Sequence, residues 1–128
     1  MKIISISLSD KNKQDIQDVQ AYFGLNNTSE VIRTALREAL KSAEEEKKLS
    51  GEINALLVVF HSHETEKMVS QIKHRHARLI KSQIHSEIKG ESCIDLFLLS
   101  GDANEIRKMR NAFLKNYKIK KTELVILK

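Results

Sequence analysis

The opening residues IISISLS alternate Ile4, Ile6 and Leu8 with Ile3, Ser5 and Ser7, the period of a strand. Two helical patterns follow. Asp10 stands where it can cap a polar helix carrying Ile16, Val19 and Phe23, and Gly24 suits the left-handed turn that ends it. The stretch NNTSEVIRTALREAL predicts a second helix, with Asn27 three residues before Glu30 as a capping box and Val31, Ile32, Ala35, Leu36, Ala39 and Leu40 as its apolar stripe. The polar run EEEKKLSG, residues 44–51, reads as the helix tail and a hinge at Gly51. A strand-helix-helix unit this small cannot build its own core, and its strand has unpaired amides. Pairing with a second copy answers both needs.

From Ile53 the pattern changes. INALLVVF predicts a strand, HETEKMVSQIKHRHARLI a helix, KSQIHSEI and CIDLFLLS two strands joined by a turn at KGES, DANEIRKMRNAFLKNY a helix and KTELVILK a last strand. That order, βαββαβ, is the ferredoxin-like arrangement, so the chain is expected to be an α+β protein with units at 1–48 and 52–128. In the middle strands Ile84, Ser86 and Ile88 alternate with His85 and Glu87, and Ile94, Leu96 and Leu98 alternate with Cys93, Asp95 and Phe97. The aliphatic sets are expected to face the core together. Setting Ile84 opposite Leu96 also sets Glu87 opposite Cys93, which demands an odd number of residues between the last paired positions, with Gly90 in the turn.

Charge and composition narrow the class. The net charge of +5 is a mild basic excess that favours polyanions, and no apolar run approaches a membrane span, so a cytoplasmic protein without a membrane partner is expected. A single cysteine makes no internal disulfide. No nucleophile and base stand at a catalytic spacing, which argues against an enzyme. The histidines are concentrated: all five, at 61, 63, 74, 76 and 85, fall in one stretch before Cys93. His85 and Glu87 on one strand face are either a solvated surface or two metal ligands, and Cys93 is either a small buried hydrophobe or a third. His74, two residues and about 200° around the helix from Ile72, points away from its own core and toward any neighbouring chain. His76, on the Ile72 side, reads as a packing or supporting residue. His61 and His63 read as loop histidines just past a strand, with an auxiliary ligand as the alternative for His63.

The N-terminal strand, NNTSEVIRTAL and the histidine and cysteine series ending at SGDANEI together resemble the nickel-responsive repressor family, in which a ribbon-helix-helix DNA-binding domain precedes an ACT-like regulatory domain. The resemblance implies metal ligands at His74, His85 and Cys93. Glu87 stands where the family has its second strand histidine. Nickel is the metal implied; a carboxylate in place of an imidazole also admits zinc, cobalt or copper. The implied assembly is a homotetramer, a dimer of ribbon-helix-helix dimers, with His74 contributed by a neighbouring subunit. The implied partner is double-stranded operator DNA, read in the major groove by a ribbon exposing Ile3, Ser5 and Ser7, with Lys2 on phosphate and Asn27, Thr28 and Ser29 clamping the backbone. Glu30 matches a position associated with a secondary cation, and equally serves as a helix cap. The rival reading is a ribbon-helix-helix regulator whose ACT-like half binds a small organic effector such as an amino acid, with incidental histidines.

Overall fold

The computed structural model describes residues 1–127 and divides into two compact units, Met1–Lys48 and Leu49–Lys128. Lys128, at the end of the expected last strand, lies outside the described residues.

In the first unit, α1 spans Asp10–Phe23 and α2 spans Thr28–Lys47. The cap of α1 is Ser9 rather than Asp10: its hydroxyl accepts from the Asn12 amide at 3.1 Å, while the Asn12 side chain accepts from the Ser9 amide at 3.3 Å. Gly24 ends this helix at φ 65°, the left-handed value that disfavours a side chain. At α2 the Asn27 side chain accepts from the Glu30 amide at 2.9 Å, and the Glu30 carboxylate reaches back to the Asn26 amide at 3.0 Å. This makes Glu30 a capping residue here. The expected N-terminal strand does not form in the single chain, where Ile3, Ile4 and Ile6 are exposed. A strand is held by ladder bonds to a neighbour, and this segment has none within its own chain. Of the two helices only Val31 is buried, leaving Phe23, Leu36 and Leu40 exposed.

The second unit is a four-stranded antiparallel sheet. Its strands are β1 (Glu52–Ser62), β2 (Ile80–Glu87), β3 (Ser92–Asp102) and β4 (Lys121–Ile126), in the order β2-β3-β1-β4. Helices α3 (Glu66–Arg75) and α4 (Ala103–Leu114) complete the βαββαβ topology. Asp102 caps α4 by accepting from the Asn104 and Glu105 amides. Val69 and Ile72 of α3 and Ile106, Met109 and Phe113 of α4 pack on Ala55, Leu57, Val59, Phe97 and Leu99, with the Phe97 and Phe113 rings stacked at 6.1 Å.

The facing of β3 is the reverse of the sequence expectation. Cys93, Asp95, Phe97 and Leu99 lie buried under the helices, whereas Leu98, Ile84 and Ile88 are exposed. Both faces of β3 carry apolar residues, and the helices cover the one that holds Phe97. The register itself is as patterned: Ile84 pairs with Leu96 and Glu87 with Cys93, separated by the odd stretch 88–92, and Gly90 turns at φ 83°. Because the whole alternation inverts as a unit, His85 and Glu87 share the helix-covered side with Cys93 and Asp95.

Candidate metal centre

Strand β1 runs further than the apolar pattern suggests, ending at Ser62, so His61 is a strand residue rather than a loop residue. It pairs with Cys93 across the ladder and is fully buried. Its Nε2 lies 2.6 Å from Asp95 Oδ2, and its Nδ1 lies 3.0 Å from the Ser62 carbonyl and 3.1 Å from Thr65 Oγ1. Thr65 donates its own proton to the Ser62 carbonyl at 2.8 Å, so its lone pair faces the ring. Both ring nitrogens thus lie within hydrogen-bond reach of oxygen atoms.

Asp95 is the hub of this network. Its second oxygen accepts from Gln83 Nε2 at 3.1 Å and stands 2.9 Å from His85 Nδ1. Burial by itself would raise its carboxyl above the ordinary value, but hydrogen bonds from His61, His85 and Gln83 outweigh that penalty and hold it below. Fixing His85 Nδ1 as the donor leaves Nε2 as the available lone pair, the way a carboxylate commonly orients a ligating imidazole. His85 Nε2 is 4.0 Å from Glu66 Oε1. A cleft of about 250 Å³ opens here, lined by Glu66, Val69, Ser70 and Lys73 of α3 and by Gln83 and His85 of β2.

A second group converges beside the first. Cys93 Sγ lies 3.8 Å from His63 Nδ1 and 3.8 Å from Glu66 Oε1, and His63 Nδ1 lies 3.2 Å from the same Glu66 oxygen. His63 Nε2 is 3.7 Å from Glu87 Oε1. Burial raises the Cys93 thiol above its ordinary value, and the charges of Glu66, Glu87 and Asp95 raise it further. The same negative surroundings that disfavour a bare thiolate favour a cation. Among the described residues, the two clusters with donor atoms mutually within 4.8 Å are His61, His85 and Asp95, and His63, Glu66 and Cys93.

The structure therefore brings His85, Glu87 and Cys93 to one end of the sheet and adds His63 at close range. His74 stands apart in the last turn of α3, exposed, and joins neither cluster within the chain. His76 is the residue after that helix, partly buried, with its imidazole pushed below the ordinary value by burial and then by the charge of Arg75. His61, Glu66 and Asp95 escaped the sequence reading. For Asp95 the signal was available, since an acid on a strand opposite a histidine-bearing strand needs a partner once buried. For Glu66 there was none without the helix start that aims it at Cys93. Lys2, Ile3, Ser5 and Ser7 are exposed, as are Asn27, Thr28 and Ser29 at the start of α2.

Residues 54–127 match the family described as NikR C terminal nickel binding domain. A protein of Halobacterium salinarum, named as a candidate nickel-responsive regulator, is 29% identical over 109 residues, 83% of this chain and 77% of that one. One of Methanocaldococcus jannaschii, named likewise, is 26% identical over 130 residues, covering 99% and 92%. A solved structure of an uncharacterized Thermotoga maritima protein is similar in fold, with a TM-score of 0.56 at 15% identity, over 60% of this chain and 99% of that one.

Proposed function

We propose, from the premise that this chain belongs to the nickel-responsive regulator family and is a metal-responsive regulator, that it is a transcriptional repressor whose affinity for operator DNA is set by metal. Nickel is the family's metal, and the donors fit it: a buried thiol, imidazoles and carboxylates meet at one end of the sheet, a mixed soft and borderline set. The observation that carries the reading is the register that puts Glu87 beside Cys93 and turns His85 onto the same face, with Asp95 fixing its tautomer. His85, Glu87 and Cys93 are the ligands offered by one chain, and the exposed His74 is the ligand offered to a neighbour. A bound ion supplies a cross-link between these donors. The chain's own residues do the rest: Asp95 and Gln83 hold the β2 side chains in place, and the covered Cys93 excludes solvent from behind.

Two exposed apolar surfaces support a homotetramer. The outer sheet face presents Ile84, Leu98 and Val125, at 58%, 41% and 43% exposure, a surface suited to a second regulatory unit. The N-terminal unit buries almost nothing and exposes Ile4, Leu36 and Leu40, which fits a pair of chains joined through a two-stranded ribbon. In that pair Ser5 and Ser7 would face the major groove and the α2 N-terminus would meet phosphate.

The test is a metal titration followed by DNA binding. Duplexes selected from a random pool by the untagged protein with nickel should bind with a fluorescence anisotropy midpoint that shifts 5- to 150-fold, about the usual allosteric coupling range, when nickel is withdrawn. An identical midpoint with and without every divalent transition metal would overturn the reading.

A further inference from the structure

The three donors His63 Nδ1, Glu66 Oε1 and Cys93 Sγ lie on one chain and share only Cys93 with the ligand set proposed above. Their separations discriminate between coordination geometries. With metal to sulfur bonds of about 2.3 Å and metal to nitrogen or oxygen bonds of about 2.0 to 2.2 Å, tetrahedral angles put the donors about 3.6 Å apart for each sulfur pair and about 3.3 to 3.5 Å for nitrogen to oxygen. A square plane requires one of any three donors' pairs to be trans, at about 4.0 to 4.5 Å, and the others near 3 Å. The observed values are 3.8, 3.8 and 3.2 Å. No pair is trans, and each lies within a few tenths of an ångström of a tetrahedral edge.

We infer that His63, Glu66 and Cys93 form a single-chain tetrahedral site for zinc or cobalt(II), with its fourth position open to solvent. The surroundings fit that role. His63 and Glu66 have side chains 39% and 48% exposed, so an ion can enter, while Cys93 closes the inner side. Glu87 stands 3.7 Å from His63 Nε2, where a small rotation lets it accept that proton and leaves Nδ1 bare for the metal. Glu87 then orients a ligand rather than being one. Binding moves one proton from Cys93 Sγ to solvent and leaves the thiolate on the ion. Because Cys93 belongs to both donor sets, occupancy here competes with the nickel set, so the site would distinguish metals by geometry. The inference rests on the regulator reading for its purpose and on donor spacing alone for its chemistry.

Cobalt(II) added to the full-length protein is the probe. Wild type should show the intense visible bands of tetrahedral cobalt with a near-ultraviolet thiolate charge-transfer band, saturating at one ion per chain. His63→Ala and Glu66→Gln, both at exposed side chains, should each lose the tetrahedral bands or weaken binding by more than about 100-fold, and Glu87→Gln should weaken it by about 10- to 100-fold. His74→Ala and His85→Ala should keep the spectrum. Retention of the bands in both His63→Ala and Glu66→Gln, their loss in His85→Ala, or six-coordinate cobalt in wild type would overturn the inference. Nickel-dependent DNA binding is read separately in the same variants. If it persists while the cobalt result fails, only the single-chain site falls.

Discussion

His61 Nε2 meets Asp95 Oδ2 at 2.6 Å with both side chains almost wholly withdrawn from solvent. Removing one partner of a buried pair leaves the other uncompensated, at a cost of about 3 to 5 kcal/mol. Asp95→Ala should therefore lower the unfolding free energy by that amount, read from the midpoint in urea at neutral pH. Asp95→Asn keeps a hydrogen-bond acceptor and should cost less. A loss below about 1 kcal/mol in Asp95→Ala would show that the pair is dispensable.

The same carboxyl predicts the acid limb of stability. Its value in the folded protein is held below the ordinary 3.8, so the folded state binds fewer protons here than the unfolded chain. The sign follows: its stabilising contribution is fully present above the unfolded value and is lost as pH falls through the depressed folded value. Unfolding free energy of wild type should drop more steeply over that acid window than that of Asp95→Asn, which lacks the group. Parallel acid profiles would contradict the linkage.

Much of this fold was legible in the chain. The Asn27 cap, the Gly24 stop, the βαββαβ order and the pairing of Glu87 with Cys93 all follow from local patterns whose periods are unambiguous. The inward face of β3 was not, because Ile94, Leu96 and Leu98 look more apolar than Cys93, Asp95 and Phe97. Aliphatic count fails when a sheet has two apolar faces and when the acid in question is hydrogen-bonded by a histidine 34 residues earlier in sequence. Glu66 was illegible for a related reason: its reach to Cys93 depends on the tight turn at His63–Thr65 that precedes α3. The N-terminal strand is legible as a pattern and absent as structure, since a strand needs ladder bonds to a neighbour and the single chain supplies none.

Cys93 sets a pH dependence of metal binding that, like the acid limb, rises with pH, but over the alkaline range. Its thiol is raised above the ordinary 9.0, so at neutral pH it is protonated and must lose that proton to bind an ion. Cobalt or nickel affinity should rise by about tenfold per pH unit from this proton alone, and the rise should continue past the ordinary thiol value. In the metal-free protein the same shift contributes stability that is present below the unfolded thiol value and lost as pH rises through the folded one. Competition titration against a chelator of known pH dependence measures the slope. A pH-independent affinity, or a plateau beginning below the ordinary thiol value, would mean that the thiolate is not a ligand.

The N-terminal segment offers a separation between assembly and readout. Ile4, Ile6 and Leu8 alternate with Ile3, Ser5 and Ser7, so in an antiparallel ribbon one set packs on the helices and the other faces outward. Acidic side chains on the outward face would meet phosphate and base edges with the wrong charge, while the inner face would be unchanged. Ser5→Glu with Ser7→Glu should therefore abolish binding to the selected duplex, by more than about 100-fold, with the sedimentation profile of wild type retained. Ile6→Asp should do the reverse at its origin, dissociating the paired chains first and losing DNA as a consequence, because burying an unpaired carboxylate at that seam is strongly unfavourable. Full DNA affinity in the double serine variant would place the reading surface elsewhere on the molecule.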